Sequence, residues 1–130
     1  MSITHTITQK LEEDGINLIE KSVSVSGGRK QEIDVNIPDS TTDDEVAFTA
    51  DVSLMQAIYM VSDQDVTIET NDGSSPDDTY SLTANVPIAW YTGSGLTNPV
   101  TTDITTNIFI TNASGSTARV RIWSLETATP

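Results

Sequence analysis

The sequence has no cysteine, one histidine, few aromatic residues and, across its middle, no positive charge. Without cysteine there is neither a disulfide framework nor a thiolate metal site, so the fold must rest on packing and backbone ladders. The single histidine, His5, stands among threonines near the N-terminus with no partner in the pattern of a nucleophile and its base, which excludes imidazole-centred triads. No segment approaches the roughly 20 apolar residues of a membrane-spanning helix, and the N-terminus Met-Ser-Ile-Thr-His-Thr has no basic start and no apolar run. The expectation is a soluble chain without a secretory signal.

The charge is unevenly placed. Residues 1–30 balance, with Lys10, Lys21, Arg29 and Lys30 against Glu12, Glu13, Asp14 and Glu20, whereas residues 31–118 hold fourteen Asp or Glu and no Lys or Arg. Arg119, Arg121 and Glu126 complete a formal charge of -13. Nucleic acid and anionic membranes are held by clustered Lys and Arg, so neither is an expected partner. The acidic middle is expected to be a solvated surface.

What is present favours strands. Threonine and serine are abundant, leucine and lysine sparse, and period-two alternation recurs along the chain. Val66 and Ile68, then Tyr80 and Leu82, alternate with polar residues across the turn-rich loop 71–78. Val46, Phe48 and Ala50 repeat the pattern, and Asp51 can cap a helical turn just after them. Ser22 to Ser26 and Gln31 to Ile37, joined through Gly27-Gly28, read as a hairpin whose glycines supply positive φ. Asn107 to Thr111 and Thr117 to Leu125, joined through Asn112 to Ser116, read as a second. Residues 11–20, interrupted by Asp14-Gly15, stay unassigned between loop and helical turn. The 130 residues form one domain, with residues 1–20 able to make an extended N-terminal arm. The fold class is all-β: a single β-sandwich or jelly roll of about eight to nine short antiparallel strands.

No motif dictates a chemistry, and no catalytic, cofactor-binding or metal-ligating residues are assigned. Carboxylate pairs such as Asp43 with Asp44, Asp63 with Asp65 and Asp77 with Asp78 would serve a hydrolase only across a cleft, with one pKa raised. The loop carrying Asp72, Asp77 and Asp78 lacks the spacing and closing Glu of an EF-hand loop. Trp90 and Tyr91 would suit sugar stacking, but Val86, Ile88 and Trp90 share one parity, which places Trp90 in the core. The last strand departs from simple alternation. Ala118, Val120 and Ile122 make a core face and leave Arg119, Arg121, Trp123 and Leu125 on the other. Arginine beside tryptophan is enriched at protein contacts. These four with Lys10 are the candidate protein interface; the competing expectation is that the arginines pair with carboxylates on a neighbouring strand.

The phrases Ala57 to Ser62, Asp65 to Asn71, Pro76 to Thr79, Leu82 to Trp90 and Asn107 to Asn112 resemble small structural proteins of tailed bacteriophages, over roughly the C-terminal two thirds of the chain. The resemblance implies a non-enzymatic virion component on the outer capsid surface, a decoration or cement protein. Such a protein would be a dimer or trimer, bridge subunits of the major capsid protein, and need no cofactor. A neck or tail accessory protein and a carbohydrate-binding adhesion module are the alternatives.

Overall fold

The computed structural model describes residues 2–127. It contains ten strands: β1 (Ile3–Glu13), β2 (Ile16–Gly27), β3 (Arg29–Ile37), β4 (Thr41–Ala47), β5 (Met55–Ser62), β6 (Val66–Thr70), β7 (Thr79–Leu82), β8 (Ile88–Tyr91), β9 (Asn107–Asn112) and β10 (Ala118–Glu126). A single 3-10 turn, Val52–Leu54, precedes β5, and the Asp51 carboxylate caps it by accepting from the Ser53 amide. Two four-stranded sheets, ordered β3-β10-β5-β8 and β4-β9-β6-β7, face each other, while β1 and β2 form a separate two-stranded ribbon. Every named pairing is antiparallel. The fold is a single-domain β-sandwich.

Alternation decides what lies between the sheets. Ile33 and Ile37 of β3, Ile58 and Met60 of β5, and Ala118, Val120 and Ile122 of β10 point inward to meet Val66 and Ile68 of β6, Leu82 of β7 and Ile108 and Ile110 of β9. Phe48 and Ala50, just past β4, and Val100 and Ile104 from the long loop before β9 close the same core. The Tyr80 hydroxyl donates to the Pro99 carbonyl at 2.9 Å and holds this loop down, and burial pushes the phenol far above its ordinary pKa. Trp90, half-buried against the core, donates its indole N–H to the Leu96 carbonyl at 3.0 Å.

Three local expectations are corrected. Gly27-Gly28 does not make a hairpin between β2 and β3. Instead β2 pairs with β1, and β3 pairs with β10. Neither glycine has positive φ. Gly27 is needed for close approach: a Cβ there would run into the Glu126 carbonyl oxygen and stand 2.9 Å from Leu125 Cγ. The Gly28 amide donates to that same carbonyl at 3.0 Å. Nor do β9 and β10 form a hairpin, because they belong to opposite sheets. Asn112 makes the corner, donating its buried amide to the carbonyls of Ile37 (2.9 Å) and Ser116 (2.8 Å) and accepting from the Ser114 amide.

The third correction is at the N-terminus, where residues 11–20 are neither loop nor helical turn but the distal part of the β1–β2 ribbon. Asp14 (φ 50°) and Gly15 (φ 84°) both take the left-handed conformation that a two-residue primed turn requires. The ribbon has two faces. Thr4, Thr6 and Thr8 exchange hydroxyl hydrogen bonds with Ser26, Ser24 and Ser22 on one. On the other, Ile3, Ile7, Val23 and Val25 pack over the outer side of the β10–β5 sheet against Leu125, Ala57 and Tyr91. Beyond Thr8 and Ser22 the ribbon leaves the body and every residue from Gln9 to Lys21 is exposed.

The seat of the ribbon thus rests on the absence of a side chain at Gly27. Gly27→Ala is expected to cost about 1–3 kcal/mol, the usual range for forcing extra volume into a packed contact, in a denaturant titration. A cost under about 0.5 kcal/mol would mean that β2 does not need this approach to β10.

Candidate functional site

The two sheets divide the charge. The β4-β9-β6-β7 sheet contains no Lys or Arg. Four of the six cations, Arg29 and Lys30 of β3 and Arg119 and Arg121 of β10, lie on neighbouring strands of the other sheet. Chain ends that are far apart in sequence are brought together here because β10 pairs with β3 along its whole length, from Ala118 opposite Ile37 to Glu126 opposite Arg29.

The outer side of this sheet carries the residues that parity sets against the core. Trp123 is opposite Glu32 on one side and Tyr59 on the other, and Arg121 is opposite Asp34 and Val61. The root of the ribbon stands over this surface. Between them lies a cleft of about 540 Å³, bounded by the β1 segment from Thr4 to Ile7, by Tyr59 and Val61, by Asn85 and Pro87, and by Arg121 and Trp123. His5 meets Trp123 edge to face, with ring centroids 6.3 Å apart. Lys30 Nζ sits 5.1 Å from the same indole. Desolvation, with the Lys30 charge adding to it, holds the imidazole below its ordinary pKa, so His5 is neutral at pH 7.

The five candidate interface residues separate. Arg121 and Trp123 line the cleft together. Arg119 follows the internal alternative: its guanidinium grips Asp34 through two bonds, Nε to Oδ1 at 2.9 Å and Nη2 to Oδ2 at 2.7 Å. These bonds, and then the charges of Arg119 and Arg121, hold the Asp34 carboxyl below its ordinary value against an opposing desolvation. Leu125 is corrected outright. It shares the parity of Trp123 but is fully buried beneath Val25 and beside Ala57, because the ribbon covers that end of β10. Lys10 is on the projecting part of the ribbon, ion-paired with Glu12 and about 17 Å along the strand from His5. Arg121 makes no ion pair among the described residues.

Sequence reasoning set the N-terminal strand, through Lys10, on the same surface as the last strand, but missed His5, Tyr59 and the pairing of β1 with β2. Tyr59 was legible in principle, since it is out of phase with the buried Ile58 and Met60.

The carboxylate pairs are held by local bonds. Asp78 accepts from the Thr101 amide and hydroxyl, and Asp77 from the Asn71 side chain, which closes the loop 71–78. Glu69 has its carboxyl raised, first by desolvation and then by a hydrogen bond and repulsion from Asp43, but it lies on the outer side of the acidic sheet, away from the cleft. Among the described residues no group of three His, Cys, Asp or Glu is placed to hold a metal ion, and no helix is long and apolar enough to cross a membrane. Compared with known proteins, the chain matches no family model, no curated protein and no solved structure.

A depressed carboxyl pKa contributes stability that is present above the unfolded value and lost as pH falls through the folded one. Arg119→Ala should therefore return the Asp34 titration, followed by NMR, toward the ordinary carboxylate range, and the melting difference from wild type should shrink at acidic pH. An Asp34 titration unmoved by the substitution would contradict the pairing.

Proposed function

We propose that this chain is a non-enzymatic structural protein that attaches to a protein shell, and specifically a capsid decoration protein that bridges and stabilises major capsid subunits on the outer surface of a virion. The observation that carries the reading is the β1–β2 ribbon. A two-stranded ribbon is marginal by itself in water, yet this one extends past its seat on the body with Leu11, Ile16, Leu18 and Ile19 all more than half exposed. Unpaired apolar residues grouped on a projecting element belong to a contact between protein chains. The division of charge is consistent with this, since it leaves one acidic sheet for solvent and gathers the cations on the side that bears the ribbon. The decoration role itself draws on the resemblance to phage structural proteins. The partners in this reading are the major capsid protein and further copies of the chain, with no nucleic acid, membrane or cofactor involved.

The adhesion alternative has less support. Trp90 is half-buried against the core, and Trp123, though exposed, is flanked by His5 and Lys30 with no second aromatic ring among the described residues stacked beside it for a sugar. A neck or tail position uses the same chemistry and differs in copy number.

Capsids assembled without this chain are expected to bind the purified protein at saturable sites and to withstand heat or pressure that opens bare capsids, because a ligand of the assembled state alone stabilises it by mass action. Capsids that neither bind it nor gain resistance would overturn the decoration role, and saturable binding to a glycan instead would favour adhesion.

A further inference from the structure

Two features of the ribbon and its surroundings are incomplete within one chain, and each has what the other lacks. The first is the ribbon tip. Leu11 faces Ile19 across the strands, and the bulge between Leu11 and Glu12 leaves Leu18 with no residue opposite it. These side chains and Ile16 are exposed, and beside them stand Glu13 and Asp14, two carboxylates with no ion pair among the described residues. The tip is thus apolar and acidic. The second feature is the cleft at the ribbon root, whose walls include Tyr59, Val61, Pro87 and Trp123 together with Arg121, a guanidinium that makes no ion pair among the described residues. In a chain of charge -13 that exposed cation stands out, and the cleft is apolar and cationic.

A chain cannot satisfy itself. The root residues of β1 that line the cleft end at Ile7, and Glu13 is six residues further along the same strand, about 20 Å away at the rise of an extended chain. A hydrogen-bonded ribbon does not double back over that length, so a tip that reaches such a cleft comes from another molecule. Two copies laid with their ribbons side by side and antiparallel place each tip at the other's root in one step. That arrangement is closed and two-fold, the commonest symmetry of homo-oligomers. It also sets the charge-balanced first 30 residues of each copy together and keeps the acidic sheets apart. β1 supports it further, because among the described residues it pairs only with β2, and its other edge, along Thr4 to Ile7, borders the cleft with no strand paired to it.

We infer that the cleft between β1 and the Tyr59–Trp123 face is the receptor for the ribbon tip of a second copy of this chain, and that the protein dimerises by reciprocal exchange of these arms. The inference rests on the part of the proposed function that takes further copies of the chain as partners, and its test needs only the isolated protein.

Sedimentation of the purified chain at up to about 100 μM, a concentration that detects even a small specific contact, is the test. A dimer is expected. Leu11→Asp with Leu18→Asp on the tip, and Arg121→Glu in the cleft, should each weaken it by at least about 30-fold, as loss of central apolar or arginine anchors does. All these side chains are exposed, so circular dichroism and melting of the variant monomers should match the wild-type monomer. Acrylamide should quench the Trp123 component of the fluorescence, identified as the part lost in Trp123→Phe, less in the dimer than in the monomer. A chain that stays monomeric, a dimer indifferent to either set of substitutions, or a dimer in which Trp123 is as open to quencher as in the monomer would overturn the inference. A monomer that binds capsids through the same tip would replace the second copy with the shell as occupant. A dimer that ignores capsids would retain the arm exchange and remove the decoration role.

Discussion

Strand β10 is packed on both sides, and the rest of the molecule depends on that. Its inward residues, Ala118, Val120 and Ile122, are in the middle of the sandwich core, while its outward Leu125 is sealed beneath Val25 of the ribbon and beside Ala57 of β5. At its end Glu126 is also buried. One carboxylate oxygen accepts from the Asp51 amide at 3.1 Å, the other is 3.5 Å from Arg29, and its carbonyl takes the Gly28 amide. One strand therefore fixes β3 and β5 beside it, the opposite sheet across the core, the cap of the 3-10 turn and the seat of the ribbon. The buried carboxylate is offset there by one hydrogen bond, from the Asp51 amide, and by the charge of the Arg29 guanidinium, which reaches solvent; its second oxygen has no hydrogen-bond donor among the described residues.

From this arrangement comes a division between a rigid body and a partly supported arm. The proximal ribbon is held by apolar contact and a hydroxyl ladder. The distal ribbon keeps its strand pairing but has lost the surface it would pack on. Stability falls along the arm for the ordinary reason that ladder bonds exposed to water open more easily than those over a core. An arm of this kind would gain order if another chain covered it.

Much of the body was legible in the sequence because period two was undisturbed there. Val66 and Ile68, Tyr80 and Leu82, Phe48 and Ala50, and Ala118, Val120 and Ile122 are all buried as their alternation requires. What alternation does not carry is which strand lies beside which. Gly27-Gly28 between two alternating runs has the look of a hairpin turn, but glycine also serves where two backbones nearly touch, and the distinction rests on Glu126, a hundred residues away. Asn112 to Ser116 has hairpin composition too, and there the deciding fact is that the Asn112 side chain is buried between two carbonyls at a sheet-to-sheet corner. The signal for the ribbon was present in Asp14-Gly15, a dipeptide suited to a primed turn, but Leu18 and Ile19 break the alternation beside it, because a bulge lies there. In the candidate site, Trp123 and Arg121 were visible as residues out of place. Leu125 was misread because a single strand's parity does not reveal that a second layer covers one end of it.

The ribbon is an arm seated at its root and unsupported at its tip, and amide hydrogen exchange measured residue by residue reads this most directly. In dilute protein, amides of β10 and of the Ser22 to Gly27 half of β2 should be protected close to the level of global unfolding, while those from Gln9 to Lys21 should exchange far faster and slow only when the arm is covered. Uniform protection along the whole ribbon in dilute monomer, or rapid exchange at its root, would contradict it.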